Sequence, residues 1–138
     1  MALPLAMAIV TVLAGPAAAH GVGVGLRPTN YRTTVTSVTP PLPGLAVHVL
    51  EAGDKLQLVN RTGQEVLVLG YNSEPYLRVG PPGAGVYENE RSPTTYSNRF
   101  FTAPSKLPPD LDPSATPEWR RIGTGPAVAW HDHRSHFG

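Results

Sequence analysis

The sequence predicts an all-β protein, a small antiparallel β-sandwich carrying one long proline-rich loop. Three observations lead there. Sixteen prolines and fourteen glycines among 138 residues leave few uninterrupted stretches for a helix. Short apolar runs alternate with the period of two expected of half-buried strands. Clusters of turn-forming residues separate those runs.

Residues 33–38 (Thr-Thr-Val-Thr-Ser-Val) are β-branched and read as a first strand, ended by Pro40-Pro41-Leu42-Pro43-Gly44. Leu45, Val47 and Val49 alternate with Ala46, His48 and Leu50, with His48 as a structural residue on the outer face. Glu51-Ala52-Gly53-Asp54 has the length of a hairpin turn, and residues 55–59 alternate again. Asn60-Arg61-Thr62-Gly63 makes a second turn. Its Asn-Arg-Thr triplet matches the glycosylation pattern and is read as turn chemistry instead. Residues 65–69 run almost continuously apolar, which predicts a third meander strand buried on both faces. Residues 75–79 and 84–88 supply two more strands, and a second sheet built from them closes an immunoglobulin- or cupredoxin-like sandwich. The Gly80-Pro81-Pro82-Gly83-Ala84-Gly85 run joins them as a loop. No helix follows it to hold phosphate, so no nucleotide is expected.

Residues 90–118 change character, with Ser92-Pro93, Pro104, Pro108-Pro109, Asp112-Pro113 and Pro117. A loop that long is either packed on the surface or a lid or linker. Residues 119–122 and 127–130 restore strand character around Gly123-Thr124-Gly125-Pro126. Tyr71, Tyr76, Tyr87, Tyr96 and Trp119 are expected to fill the core rather than form a ligand platform.

Composition excludes several functions. The formal net charge of +1 gives no basic stripe, so nucleic acid is not an expected partner. The absence of cysteine removes disulfides, thiolate metal sites and cysteine nucleophiles. No Gly-x-Ser-x-Gly elbow, phosphate loop or His-Glu-x-x-His helix occurs, and the acids form no recognisable catalytic pair, so an enzyme is not expected.

The N-terminal segment points to export. Residues 2–13 form an apolar block, Gly15 and Pro16 break it, and Ala17-Ala18-Ala19 offers small residues to a signal peptidase. Residues 1–19 then form a signal peptide and residues 20–138 one secreted or extracytoplasmic domain beginning at His20. The positive n-region is missing, and the alternative is an uncleaved anchor, because the uncharged stretch is long enough to span a bilayer.

His131-Asp132-His133-Arg134-Ser135-His136 gathers three of the five histidines. If the strand continues, His131 and His133 share a face about 7 Å apart and chelate one ion, with His136 joining through a turn. Cleavage before His20 would free an α-amine that, with the His20 ring and one more imidazole, makes a nitrogen-rich Cu(II) site. The predicted metal ligands are therefore His20, His131, His133 and His136, and the predicted cofactor is copper. His20 with the Asp132/His133 neighbourhood resembles the histidine brace of periplasmic copper-carrier sandwiches and lytic polysaccharide monooxygenases. The alternative is that the cluster is a solvated tail.

A wider resemblance rests on Asn30-Tyr31-Arg32-Thr33, on the run from Leu58 to Tyr71, on Glu74-Pro75-Tyr76-Leu77-Arg78-Val79-Gly80, on Trp119-Arg120-Arg121-Ile122 and on Trp130-His131-Asp132-His133-Arg134. Together these resemble a family of exported, often membrane-anchored actinobacterial proteins without an assigned activity. Longer members continue past the histidine tract to a C-terminal membrane helix. The resemblance implies location and architecture, with a membrane protein or such a membrane segment as partner and this chain as a truncated or split ectodomain. Three classes of function follow: a copper-binding domain, a metal-free structural or interaction ectodomain, and a copper-dependent oxidase.

Overall fold

The alternation in residues 45–60 is realised as a hairpin. Strand β1 (Leu45–Leu50) pairs antiparallel with β2 (Lys55–Asn60), Leu45 opposite Asn60 and Leu50 opposite Lys55. The computed structural model describes residues 32–100, 107–108 and 111–135. The turn between the strands, Glu51–Gly53, takes positive φ at all three residues. At Gly53 φ is 111° and a Cβ would lie 2.9 Å from the Thr33 hydroxyl, so the position requires glycine.

Strand β3 (Val66–Leu69) does not extend this hairpin into a meander. The partner on the other side of β2 is β7 (Ala127–His131), giving a three-stranded sheet in the order β1-β2-β7. The chain leaves that sheet at Asn60 and builds a second one in the order β3-β4-β5-β6, with β4 at Pro75–Val79, β5 at Val86–Asn89 and β6 at Trp119–Gly123. All pairings are antiparallel. The predicted all-β sandwich is thus formed, from sheets of three and four strands.

Asn60 explains the switch between sheets. Its side chain is wholly buried, and its amide donates to the Gln64 carbonyl (2.8 Å) and, across the sandwich, to the Val79 carbonyl (2.9 Å). Its Oδ1 accepts from the Thr62 backbone N–H (3.0 Å) and hydroxyl (2.7 Å). That Asx turn redirects the chain, and every polar atom of the side chain is bonded internally.

The core lies between the sheets. Leu58 and Trp130 from the three-stranded sheet meet Tyr76, Leu77, Val79 and Val86 from the four-stranded one. Burial of these side chains is the main stabilising term.

Three local expectations are overturned. Residues 33–38 form no strand; Thr34 to Ser37 are exposed, and β-branching favours a strand only where a sheet surface is available to pack on. Residues 65–69 are not buried on both faces. Strand β3 is the edge of the four-stranded sheet, and Leu67 and Leu69 are each 47% exposed while Val66 and Val68 pack on the core. The irregular stretch 90–118 contains a helix, α1 (Pro93–Phe100). Ser92 caps it, its hydroxyl accepting from the Thr95 N–H (3.2 Å), and Pro93 stands at the first helical position where no N–H is needed. Arg99 of α1 and Arg120 of β6 share Glu88 of β5 and Glu90 just past its end, which fastens the helix to the sheet. Hydrogen bonds from Arg99, then Arg120, pull the Glu90 carboxyl down to about 2. Among the described residues no helix is long and apolar enough to cross a membrane.

Candidate functional site

The histidine tract begins where β7 ends. Trp130 faces the core, and His131 stands opposite Lys55 with its Nδ1 3.1 Å from Asp54 Oδ2, in the turn of the three-stranded sheet. The strand does not continue to His133. A turn follows, in which the Ser135 N–H donates to the Asp132 carbonyl (3.0 Å) and the Ser135 hydroxyl bonds the Gly53 carbonyl (2.6 Å).

Asp132 holds that turn together. It is 1% exposed and accepts from Trp130 Nε1 (3.0 Å), the Arg134 N–H (3.0 Å) and the Arg134 guanidinium (2.8 and 2.7 Å). Burial alone would raise its pKa, but the bonds from Arg134 and Trp130 outweigh burial and hold the carboxyl below its ordinary range. Arg134 then reaches the Leu69 carbonyl (3.2 Å) at the end of β3. The C-terminal tract is a latch that ties β7 to the opposite sheet.

The turn separates the two histidines expected to share a face. His131 lies against the β1–β2 turn, and the exposed His133 has its ring centroid 5.9 Å from that of Tyr71, in the β3–β4 turn of the other sheet. His20 and His136 lie outside the described residues, as does the segment 1–19. Among the described residues no three His, Asp or Glu side chains are grouped to hold a metal ion.

The surrounding polar network is structural in the same way. The Tyr71 hydroxyl bonds Asn98 (3.2 Å), and Asn98 donates to the Tyr76 hydroxyl (3.2 Å) and the His131 carbonyl (3.1 Å), linking α1, β4 and β7. Burial pushes both tyrosine hydroxyls up. Glu74, 2% exposed, accepts from the Ser92 hydroxyl (2.7 Å), the Thr94 N–H (3.0 Å) and the Asn72 N–H (3.0 Å). Burial opposes its charge, yet those donors win and lower its pKa. A Cβ on Gly70 would collide with the Glu74 and Thr94 side chains, so the turn closes tightly over this carboxylate. Neither buried carboxylate has the raised pKa that suits a general acid near neutrality.

A different surface stands out, one that the sequence reading missed. Register places Leu67, Arg78, Tyr87 and Arg121 in one row across β3, β4, β5 and β6. Their neighbours Leu77, Val79 and Val86 point into the core, so this row lies on the outer face of the four-stranded sheet. The Arg78 guanidinium carbon lies 4.6 Å from the Tyr87 ring centroid and 5.0 Å from that of Trp119. Of the aromatics assigned to the core, Tyr76 is there, while Tyr87 and Trp119 are half-buried on this outer face. The signal was available: strand alternation in 75–79 sets Arg78 opposite in sense to Leu77 and Val79.

Among the described residues, fold and surface together define a small two-sheet β-protein with one short α-helix and a sheet face on which arginines and aromatic rings lie together. No family model, curated protein or solved structure matches the chain.

Proposed function

We propose that this chain is an exported, non-enzymatic binding domain that docks on a partner protein at the extracytoplasmic face through the outer face of its four-stranded sheet. The observation that carries this reading is the in-register row Leu67, Arg78, Tyr87 and Arg121, with Trp119 stacked on Arg78. Tyr, Trp and Arg are the residues enriched where binding energy concentrates, and exposed leucines add area to desolvate. Leu67, Leu69 and Ile122, each more than 40% exposed, all stand on this sheet. The apolar block at residues 2–13 and the small residues before His20 support export.

Among the three classes of function this is the metal-free interaction ectodomain. The engagement of His131 with Asp54 and the inward turn of Asp132 favour it over a copper site. Site-specific photo-crosslinking in the producing cell tests it. A photoreactive residue at Leu67 should give a discrete crosslinked protein, and one at His48, exposed on the other sheet, should not. Equal labelling from both positions, or none from Leu67, would refute the assignment.

A further inference from the structure

What docks on the outer face is set by how Arg78 is held there, given that this face is the docking surface proposed above. Arg78 is held by two rings and by an ion pair from its Nε to the Glu65 carboxylate (3.3 Å). Two aromatic faces at 4.6 and 5.0 Å fix the guanidinium. Its Nε is shut off from solvent and has no hydrogen-bond partner among the described residues, the Glu65 carboxylate oxygen 3.3 Å away pairing with it by charge alone. Among the described residues no other acceptor bonds this guanidinium, although the side chain is 31% exposed.

Other arginines in the fold differ. Arg99, Arg120 and Arg134 each spend their donors on carboxylates. Arg121, beyond Tyr87 in the row, bonds only the Gly123 carbonyl (3.3 Å) and pairs with no carboxylate among the described residues. The face therefore presents two arginines: Arg121 with no carboxylate partner among the described residues, and Arg78 immobilised, ion-paired to Glu65 through Nε and with no hydrogen bond from its terminal nitrogens among those residues.

We infer that Arg78 is the carboxylate receptor of this face, taking an Asp or Glu side chain from a partner segment whose apolar residues lie on Leu67 and Leu69. A guanidinium fork matches a carboxylate in two parallel hydrogen bonds. Fixing the fork in advance lowers the entropy lost on binding. Arg121 supplies the second charge that complements an acidic segment. The leucines decide between ligand classes: an acidic sugar polymer would leave them unmatched, whereas a peptide covers them with its own apolar side chains. Glu65 is the internal competitor that the incoming carboxylate displaces.

The test is selection of a displayed random-peptide library on the purified protein. The enriched peptides should combine Asp or Glu with Leu, Ile or Val. Replacing that acid by its amide should weaken binding of the synthetic peptide about tenfold or more. Arg78→Gln and Arg78→Lys should each produce the same loss, because lysine keeps the charge but not the fork. Glu65→Gln leaves Arg78 on its rings and removes the competitor, and it should tighten binding severalfold. Peptides without acidic enrichment, indifference to the Arg78 substitutions, or an unchanged affinity in Glu65→Gln would each overturn the inference. So would binding of polygalacturonate in place of the peptides. If Leu67 still crosslinks while the peptide experiment fails, the carboxylate receptor is wrong and the docking surface stands. Loss of the Leu67 crosslink removes both.

Discussion

Arg134 and Arg78 are fixed by opposite means. Arg134 is bound to the buried carboxylate of Asp132 and to the carbonyl of Leu69, so its donors serve the fold. Arg78 lies over the Tyr87 and Trp119 rings, ion-paired through Nε to the exposed Glu65 and making no hydrogen bond among the described residues, so its terminal nitrogens remain available. The contrast separates a region that closes the sandwich from a region that faces outward. The histidine tract, the most unusual stretch of the sequence, belongs to the first.

The sharpest way to break the contrast is to remove the latch. Asp132→Ala leaves the Trp130 indole N–H and the Arg134 guanidinium without their buried acceptor, and it should cost about 2–4 kcal/mol of unfolding free energy. Urea unfolding checks this, and a loss within ~0.5 kcal/mol would mean the latch is idle. Asn60→Ala, which strands the Val79 carbonyl and the Thr62 donors, should cost about 2–3 kcal/mol. The same burial should leave the Asn-Arg-Thr triplet unmodified in a glycosylating host. A glycan on Asn60 of folded protein, seen by mass spectrometry, would contradict the cross-sheet role.

Acid should act on the latch region as well as on the exposed ion pairs of Glu90. Asp132 and Glu74 have pKa values below those of the unfolded chain, so they contribute stability that is present above about pH 4 and is lost as pH falls through and below that range. The urea midpoint should be flat from neutrality down to the ordinary carboxylate range and then drop. In Asp132→Asn that drop should be shallower; an unchanged acid limb would show that Asp132 is not a source of it. The smallest effect is expected at the histidines. Cu(II) titration of the protein, followed by electron paramagnetic resonance, should give binding no tighter than that of His20→Ala, His133→Ala. A clear difference would restore the copper site.

Much of the sandwich was legible because its strands alternate. Leu45, Val47, Val49, Leu56 and Leu58 face inward as their spacing demands. What failed was pairing. Nothing in residues 65–69 reports that β7 takes the place beside β2, because that depends on the side-chain bonds of Asn60 across the sandwich. Ser92-Pro93 falls in the stretch 90–118 expected to be an irregular loop, although a capping serine before proline also starts a helix. At the C-terminus, a two-residue spacing puts His131 and His133 on one face only if the strand persists, and Asp132 ends it by turning inward. Arg78 was hidden for a related reason: its significance lies in rings from two other strands, Tyr87 and Trp119, brought beside it by register.

The central claim, that one arginine serves folding and the other binding, is tested most directly by comparing Arg78→Gln with Arg134→Gln for urea stability and for photo-crosslinking from Leu67. Arg78→Gln should stay within ~1 kcal/mol of the parent and lose the crosslink. Arg134→Gln should lose stability and, while folded, keep it. Crosslinking that survives in Arg78→Gln but disappears in folded Arg134→Gln would contradict the account.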